Sequence, residues 1–452
     1  MREGIVATAA VLVCLCTAGG AHAQAPAPLK GPAGASHSKV LVVGVDGARW
    51  DLVRRAMAEG RAPNLARLGR EGVAGPTLLP YTPPAALTIS EVGWSTIAAG
   101  VGPAKHGVSG FMLNKDPGQA TKNGYVDFLT RAERVRPALS TFLASDWANI
   151  GRAENGGPIF GTGIDARHAL AAEDTVDSYN RGDAEVAALS ARYLRRGDPD
   201  AGFVYLGAVD ETAHLVGSAT PDYRNSIDLA DKRLGVLVNA IRDRATYGLE
   251  RWTVIVTTDH GQQDLASPSP FSHGGPSELE RTSFMFAAGP GVAKGSSRVP
   301  GVVDVAPTVL HQLGLAVQPG WNLDGRSFVA GGPPPARPAA RVRLRSRRPA
   351  LELVAEAASR APALASVRLR LPRGVSLRSG ARARVNGRRV GRSRLRVARH
   401  GLRITLPPGA RRLLVRVPLR RMPRRPPRTV AAAIAEAGDA ALDRRIAVRV
   451  RR

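Results

Sequence analysis

Beyond residue 16 the sequence has no cysteine; its two cysteines, Cys14 and Cys16, both lie in the first apolar stretch. That excludes a disulfide framework, a thiolate metal site and a catalytic thiol from everything downstream. Aromatic residues are sparse at 5%. Lysine is missing from the C-terminal quarter, where Gly331 to Arg452 holds 33 Arg and 5 acids. The rest of the chain has 31 basic and 32 acidic residues, so the formal charge of +27 belongs to one end only. A reading of the whole protein as a nucleic-acid binder is thereby excluded, and any argument from charge applies to the tail alone. What is present is ordinary for a globular protein: 452 residues, enough for two or three domains, with 44% hydrophobic content.

Residues 1–23 read as a signal peptide. Arg2 precedes an apolar run from Ile5 to Ala18, and Ala21-His22-Ala23 forms an A-x-A cleavage site. The run is short for a membrane span, so export with cleavage near Ala23 is expected. Residues 24–37 form a linker rich in Pro, Ala and Gly. From 38 to 330 apolar runs alternate with helical spacing. Val40–Val45 is a continuous apolar strand, followed by helical patterns from Trp50 to Ala58 and from Pro63 to Gly72. The stretches "AGFVYLGAVD", "RWTVIVTTDHG" and "RTSFMFAAGPG" read as further strands, and "YRNSIDLADKRLGVLVNAIRDRA" and "DVAPTVLHQLGL" as helices. This alternation predicts an α/β domain with a mostly parallel sheet sandwiched by helices. Residues 331–350 read as a Pro-rich linker. From 351 to 452 Val, Leu and Ile alternate with Arg at period two, which predicts a small C-terminal β-sandwich with arginine on its solvent face.

In open α/β sheets, ligands bind beyond the carboxyl ends of the strands. Three apolar runs end there in a carboxylate: Asp46 in "VGVDG", Asp210 in "VDETAH" and Asp259 in "TTDHG". One such aspartate is an ordinary cap, whereas three together repel unless a cation lies among them. Histidines accompany them. Asp210 and His214 are four apart and share a face on a helical turn, His260 follows Asp259 directly, and His273 lies in the Gly-rich "PFSHGGPSE". Carboxylate and imidazole suit zinc, with manganese or iron as alternatives. The ligand count exceeds one tetrahedral ion, which points to a pair of metals and to phosphoryl-transfer hydrolysis. "LTISEVGWSTIAAGVGPAKHGV" offers Thr88, Ser90, Ser95 and Thr96 as nucleophiles, and spacing alone does not choose among them.

The motifs "VGVDGAR", "PNLARLGREG", "GWSTIAAGVGPAKHG", "DETAHLVG", "TTDHG", "SHGG" and "DVAPTVLHQLGLAVQPGWNLDGRSF" occur in the order found in the alkaline phosphatase superfamily. The chain resembles the type I phosphodiesterase/nucleotide pyrophosphatase branch over about 38–330. That resemblance implies an alkaline phosphatase-like fold and a Thr or Ser nucleophile sixteen residues before the His of "HG", which is Ser90. It also implies one zinc on Asp46, Ser90, Asp259 and His260, a second on Asp210, His214 and His273, and a covalent phospho-enzyme. Two positions depart from the pattern. The Asn expected five residues after His106 is Phe111, with the non-equivalent Asn114 nearby as a candidate substrate contact. The run Ser90-Glu91-Val92-Gly93-Trp94 lacks the Pro and Arg of a sulfatase.

The expected activity is therefore exported, metal-dependent hydrolysis of a small phosphorylated ester. A phosphomonoesterase or sulfatase-like hydrolase of the same superfamily is the alternative, and a degenerate binding module for anionic surfaces is the alternative of another class. No specific nucleic-acid partner is expected. The arginines of the tail read first as a solvated sheet face and second as a grip on an anionic surface.

Overall fold

A computed structural model describes residues 37–110, 119–137, 139–152, 159–161, 163–170, 172–173, 175–296, 299–330, 339–345, 349–357, 363–372, 375–420, 429–436 and 444–451. The predicted signal peptide and Asn114 lie outside these residues. Seven strands form the first sheet: β1 (His37–Val45), β2 (Val73–Leu78), β3 (Thr141–Ser145), β4 (Ala166–Ala169), β5 (Ala201–Leu206), β6 (Glu250–Thr257) and β7 (Thr282–Ala288), in the order β2-β7-β6-β1-β5-β3-β4. All neighbours are parallel except the pairs made by β7. The apolar run of β1 explains its central place. Val40 and Val42 face one core, with the helices Ser90–Ala99, Phe128–Val135 and Val305–Gln312; Leu41, Val43 and Val45 face the other, with the helices Val176–Arg196 and Pro221–Arg242. A strand buried on both faces needs no polar alternation. Its neighbours fix the site: Val45 pairs with Leu206 of β5, and Gly44 with Thr257 of β6. The carboxyl ends of three adjacent strands therefore lie level.

The described C-terminal residues form two antiparallel sets of strands, joined into one ten-stranded sheet by the parallel pairing of Val450 with Val342. One contains Ala339–Arg345, Ala350–Glu356, Arg382–Val385 and Arg412–Pro418; the other contains Leu364–Arg370, Leu395–Ala398, Gly401–Thr405, Thr429–Glu436 and Arg444–Arg451. Leu351, Leu353, Val415 and Val417 of the first share a core with Val367, Leu369, Leu402 and Ile404 of the second, as the period-two pattern required. One boundary moves. Residues 339–345 fall in the stretch read as linker, yet they form a strand paired with 350–356. Val342 and Leu344 are buried between arginines, so the alternation starts before 351, close behind the prolines that suggested a linker.

Candidate metal centre

Asp46 is the first residue beyond β1 and is buried. Its Oδ2 accepts hydrogen bonds from Tyr205 Oη at 2.5 Å and Trp94 Nε1 at 2.9 Å. Its Oδ1 is thereby turned to the Ser90 hydroxyl, 3.3 Å away. Ser90 opens the helix Ser90–Ala99, and its Oγ also lies 3.1 Å from His260 Nε2. The other candidate hydroxyls are engaged elsewhere or stay apart. Thr88 donates to the Gly275 carbonyl, Thr96 binds the Val92 carbonyl and His106, and the Ser95 hydroxyl is buried without a hydrogen-bond partner. Trp94 reaches Asp46 because Gly44 makes room: a Cβ there would meet the indole at 2.3 Å.

Asp259 and His260 follow β6, and both are fully buried. Neighbours in an extended strand point apart, yet here His260 Nε2 is 3.4 Å from Asp259 Oδ2 and 3.6 Å from Asp46 Oδ1. The strand has ended and the chain bends at Asp259, and at Gly261 it runs so close to the neighbouring chain that a Cβ would meet the Leu279 carbonyl at 2.1 Å. Asp210 does not end β5, which stops at Leu206. It lies in the first turn of the helix Ala208–Val216, with His214 one turn on and its Nε2 3.3 Å from Asp210 Oδ2. His273 Nε2 is 3.6 Å from Asp210 Oδ1 and 3.0 Å from His214 Nε2, and its ring stacks on His260 at 3.9 Å. The seven residues with a ligand role in the sequence reading thus meet in one place. His260 stands within reach of both halves, grouped with Asp46 and Asp259 and also with Asp210 and His273.

The hydrogen bonds of the imidazoles fit a cation. Each Nδ1 faces a carbonyl, which can only accept: Gly261 for His260, Ser269 for His214 and Thr88 for His273, at 2.9, 3.0 and 2.9 Å. Each Nδ1 must carry a proton, which leaves the Nε2 of each ring as the atom that can face a cation. The Nε2 atoms of His214 and His273, 3.0 Å apart, repel unless a proton or metal lies between them. Asp259 Oδ2 is buried with no hydrogen-bond partner, a cost that a cation removes. Burial, then repulsion from Asp46 and Asp210, holds the Asp259 carboxyl well above the usual range. Burial, then Asp210, also raises Asp46, against the pull of His260, Tyr205 and Trp94. Burial would raise Asp210 too, but His273 and His214 bring it below its ordinary value. Burial and the neighbouring His260 push His273 down to about 3, which keeps it neutral. Two buried carboxylates, the half-buried Asp210 and three imidazole Nε2 atoms match the donor set of divalent zinc, manganese or iron.

The group opens on a cleft of about 980 Å³ lined by Ser90, Asp210, His214, His273, Trp147 and Phe271, among others. Tyr205, Trp94 and Gln262, which donates to Asp210, serve the site without having been singled out in the sequence. Tyr205 and Trp94 sit in apolar runs and look like core. A buried phenol or indole needs a partner, and that requirement is the one signal that marks them. His106 accepts from the Val108 amide and bonds Thr96, and burial brings it down to about 3. It braces the helix of Ser90 and does not enter the cleft.

Fold and site together define an alkaline-phosphatase-like α/β hydrolase, the class that the motif order implied. The chain belongs to the type I phosphodiesterase/nucleotide pyrophosphatase family, which matches residues 40–273, and is accordingly a hydrolase of phosphoric ester bonds. No curated protein matches the sequence. Among solved structures, murine ectonucleotide pyrophosphatase/phosphodiesterase 5 is 17% identical over 63% of this chain and 98% of its own, with a TM-score of 0.45. A 2-O GAG sulfatase is 11% identical over 71% and 81%, with a TM-score of 0.45. Phosphonoacetate hydrolase from Sinorhizobium meliloti is 15% identical over 52% and 58%, with a TM-score of 0.37.

Proposed function

We propose that the protein is an exported phosphodiesterase or nucleotide-pyrophosphatase-like hydrolase that uses Ser90 as nucleophile and two divalent cations, zinc for preference. The observation that carries this reading is the Ser90 hydroxyl, at the cleft and within 3.3 Å of both His260 Nε2 and Asp46 Oδ1. Asp46, Asp259, His260 and Ser90 would hold one ion, and Asp210, His214 and His273 the other. Bound ions of this kind polarise phosphoryl oxygens and acidify a coordinated hydroxyl or water. Tyr205 and Trp94 fix Asp46 so that one carboxylate oxygen stays on Ser90. The three carbonyls fix the imidazole tautomers. Ser90 Oγ gives up its proton to water in the open cleft and attacks phosphorus in line, the P–O bond on the opposite side breaks, and the departing alcohol or phosphate oxygen takes a proton from water. Water then attacks the phosphoserine and restores the hydroxyl. The N-terminus of the helix Ser90–Ala99 favours the phosphoryl charge. A cleft much larger than a phosphate group supports an ester with a second substituent. The A-x-A site at Ala21–Ala23 supports export.

The test is turnover by the purified protein, supplied with zinc or manganese, of a bis-aryl phosphate, an aryl phosphate and an aryl sulfate side by side. The diester should be fastest. Preference for the sulfate ester, or no turnover of any of the three, overturns the reading.

A further inference from the structure

A fourth carboxylate stands at the carboxyl edge of the first sheet. Asp146 is the first residue beyond β3, which pairs in parallel with β5. It is buried, and among the described residues no donor reaches either of its oxygens. Facing it is Asp183, in the middle of the helix Val176–Arg196 and fully buried as well. The helix comes so close because the residue before Asp183 is Gly182, where a Cβ would lie 2.9 Å from Asp146 Oδ2. Two buried carboxylates side by side cannot both ionise at ordinary cost. Burial, then the charge of Asp183, lifts Asp146 well above the usual carboxylate range, so Asp146 keeps its proton and donates it to Asp183. Burial raises Asp183 too, but Arg233, Asp146 and two backbone amides pull the other way.

Those amides connect the pair to the metal centre. Asp183 Oδ1 accepts from the Gly207 amide at 2.8 Å and from the Ala208 amide at 3.4 Å. Its Oδ2 stands 3.2 Å from Arg233 Nη1, and Arg233 is held in turn by the Asn180 carbonyl at 2.7 Å. Gly207 and Ala208 open the helix Ala208–Val216, which carries Asp210 in its first turn and His214 one turn later. A helix leaves its first amides without internal partners, and Gly207 has no side chain with which to cap them. Asp183 supplies the cap from a different helix, 24 residues upstream, and sets a negative charge at the positive end of the helix dipole. It therefore pins the end from which both ligands project. We infer that Asp183 is a positioning residue of the metal centre: by holding the Gly207 and Ala208 amides it sets where Asp210 and His214 meet His273, and so governs the affinity for the ion of that half. This inference rests on the reading of Asp210, His214 and His273 as ligands of one ion.

The test is zinc binding by the full chain, measured by competition with a colorimetric chelator, with turnover of a bis-aryl phosphate followed against zinc concentration. Asp183→Ala leaves the two amides without their acceptor. It should weaken one of the two ions roughly 10–100-fold, as loss of a group that orients a ligand does, and the other by less than about threefold. Turnover should fall at limiting zinc and return toward the wild-type kcat at saturating zinc, a recovery that a general loss of structure would not show. Asp183→Asn keeps an oxygen for the amides and should bind both ions within about threefold of wild type. Wild-type affinity for both ions in Asp183→Ala, or equal weakening of both, overturns the proposal. A folded Asp183→Asn protein that binds one ion more than about tenfold more weakly also overturns it, even where the alanine variant does not fold. A wild-type protein that binds fewer than two ions refutes the ligand reading itself, and this inference with it.

Discussion

Asp259→Ala separates a structural carboxylate from a metal ligand, because the two roles predict opposite changes in stability. Asp259 is fully buried; its Oδ1 accepts one long bond from the Gly47 amide at 3.3 Å, and its Oδ2 accepts none. An unsatisfied buried acceptor costs ~1–3 kcal/mol, while a neutral hydrogen bond contributes ~0.5–1.5 kcal/mol. Alanine keeps the Cβ against which Gly93 packs, where a Cβ on Gly93 would lie 2.6 Å away. The metal-free variant should therefore be as stable as the metal-free wild type, or more stable by about 1 kcal/mol. With cation in hundredfold excess over Kd, the wild type should gain about 2.7 kcal/mol, or roughly 5–10 °C for a domain of this size. Asp259→Ala should lose most of that gain, together with turnover. The assay is thermal unfolding in chelator and in zinc, with metal content read by elemental analysis. A metal-free variant melting more than about 5 °C below wild type makes Asp259 a structural group. A variant that keeps the full zinc increment removes it from the ligand set. Either result refutes the reasoning.

Ser90→Ala should lower turnover by roughly a thousandfold or more while elemental analysis finds the metal content retained; full activity refutes the nucleophile. His214 supplies a pH signature. Burial opposes its charged form, but Asp210 outweighs burial and lifts its pKa from 6.5 to about 9. In the metal-free protein this stabilisation is complete below 6.5 and is lost as pH rises to about 9. The melting temperature in chelator should fall across that interval, and zinc affinity, which needs the neutral ring, should rise up to about tenfold per pH unit. A flat affinity profile counts against His214 as a ligand. Lys39→Ala should destabilise by about 3 kcal/mol in urea unfolding, since the buried ammonium pairs with Asp198 at 2.7 Å. Arg244 still covers Asp198, which keeps the loss at that lower end. A loss below ~1 kcal/mol would show that the pair is solvated.

The parts of the site that were legible in the sequence are those set by local rules. Val40–Val45 and Trp252–Val256 announce strands, so Asp46 and Asp259 fall at strand ends by counting, and the four-residue spacing of Asp210 and His214 needs only a helical turn. What was not legible depends on contacts between distant segments. The helix Ser90–Ala99 is buried on nearly every side, so no periodicity tells which hydroxyl faces β1. Trp94 decides it, by reaching Asp46 over Gly44. The sharing of His260 between the two halves needs Gly261 to press on the Leu279 carbonyl, an approach no local pattern contains. Tyr205 lies next to the last residue of β5, where its ring reads as core, while its hydroxyl holds Asp46. Residue type and spacing thus specify which groups reach the edge of a sheet, whereas which of them meet is specified by packing between elements, and that is where the chemistry of this site is decided.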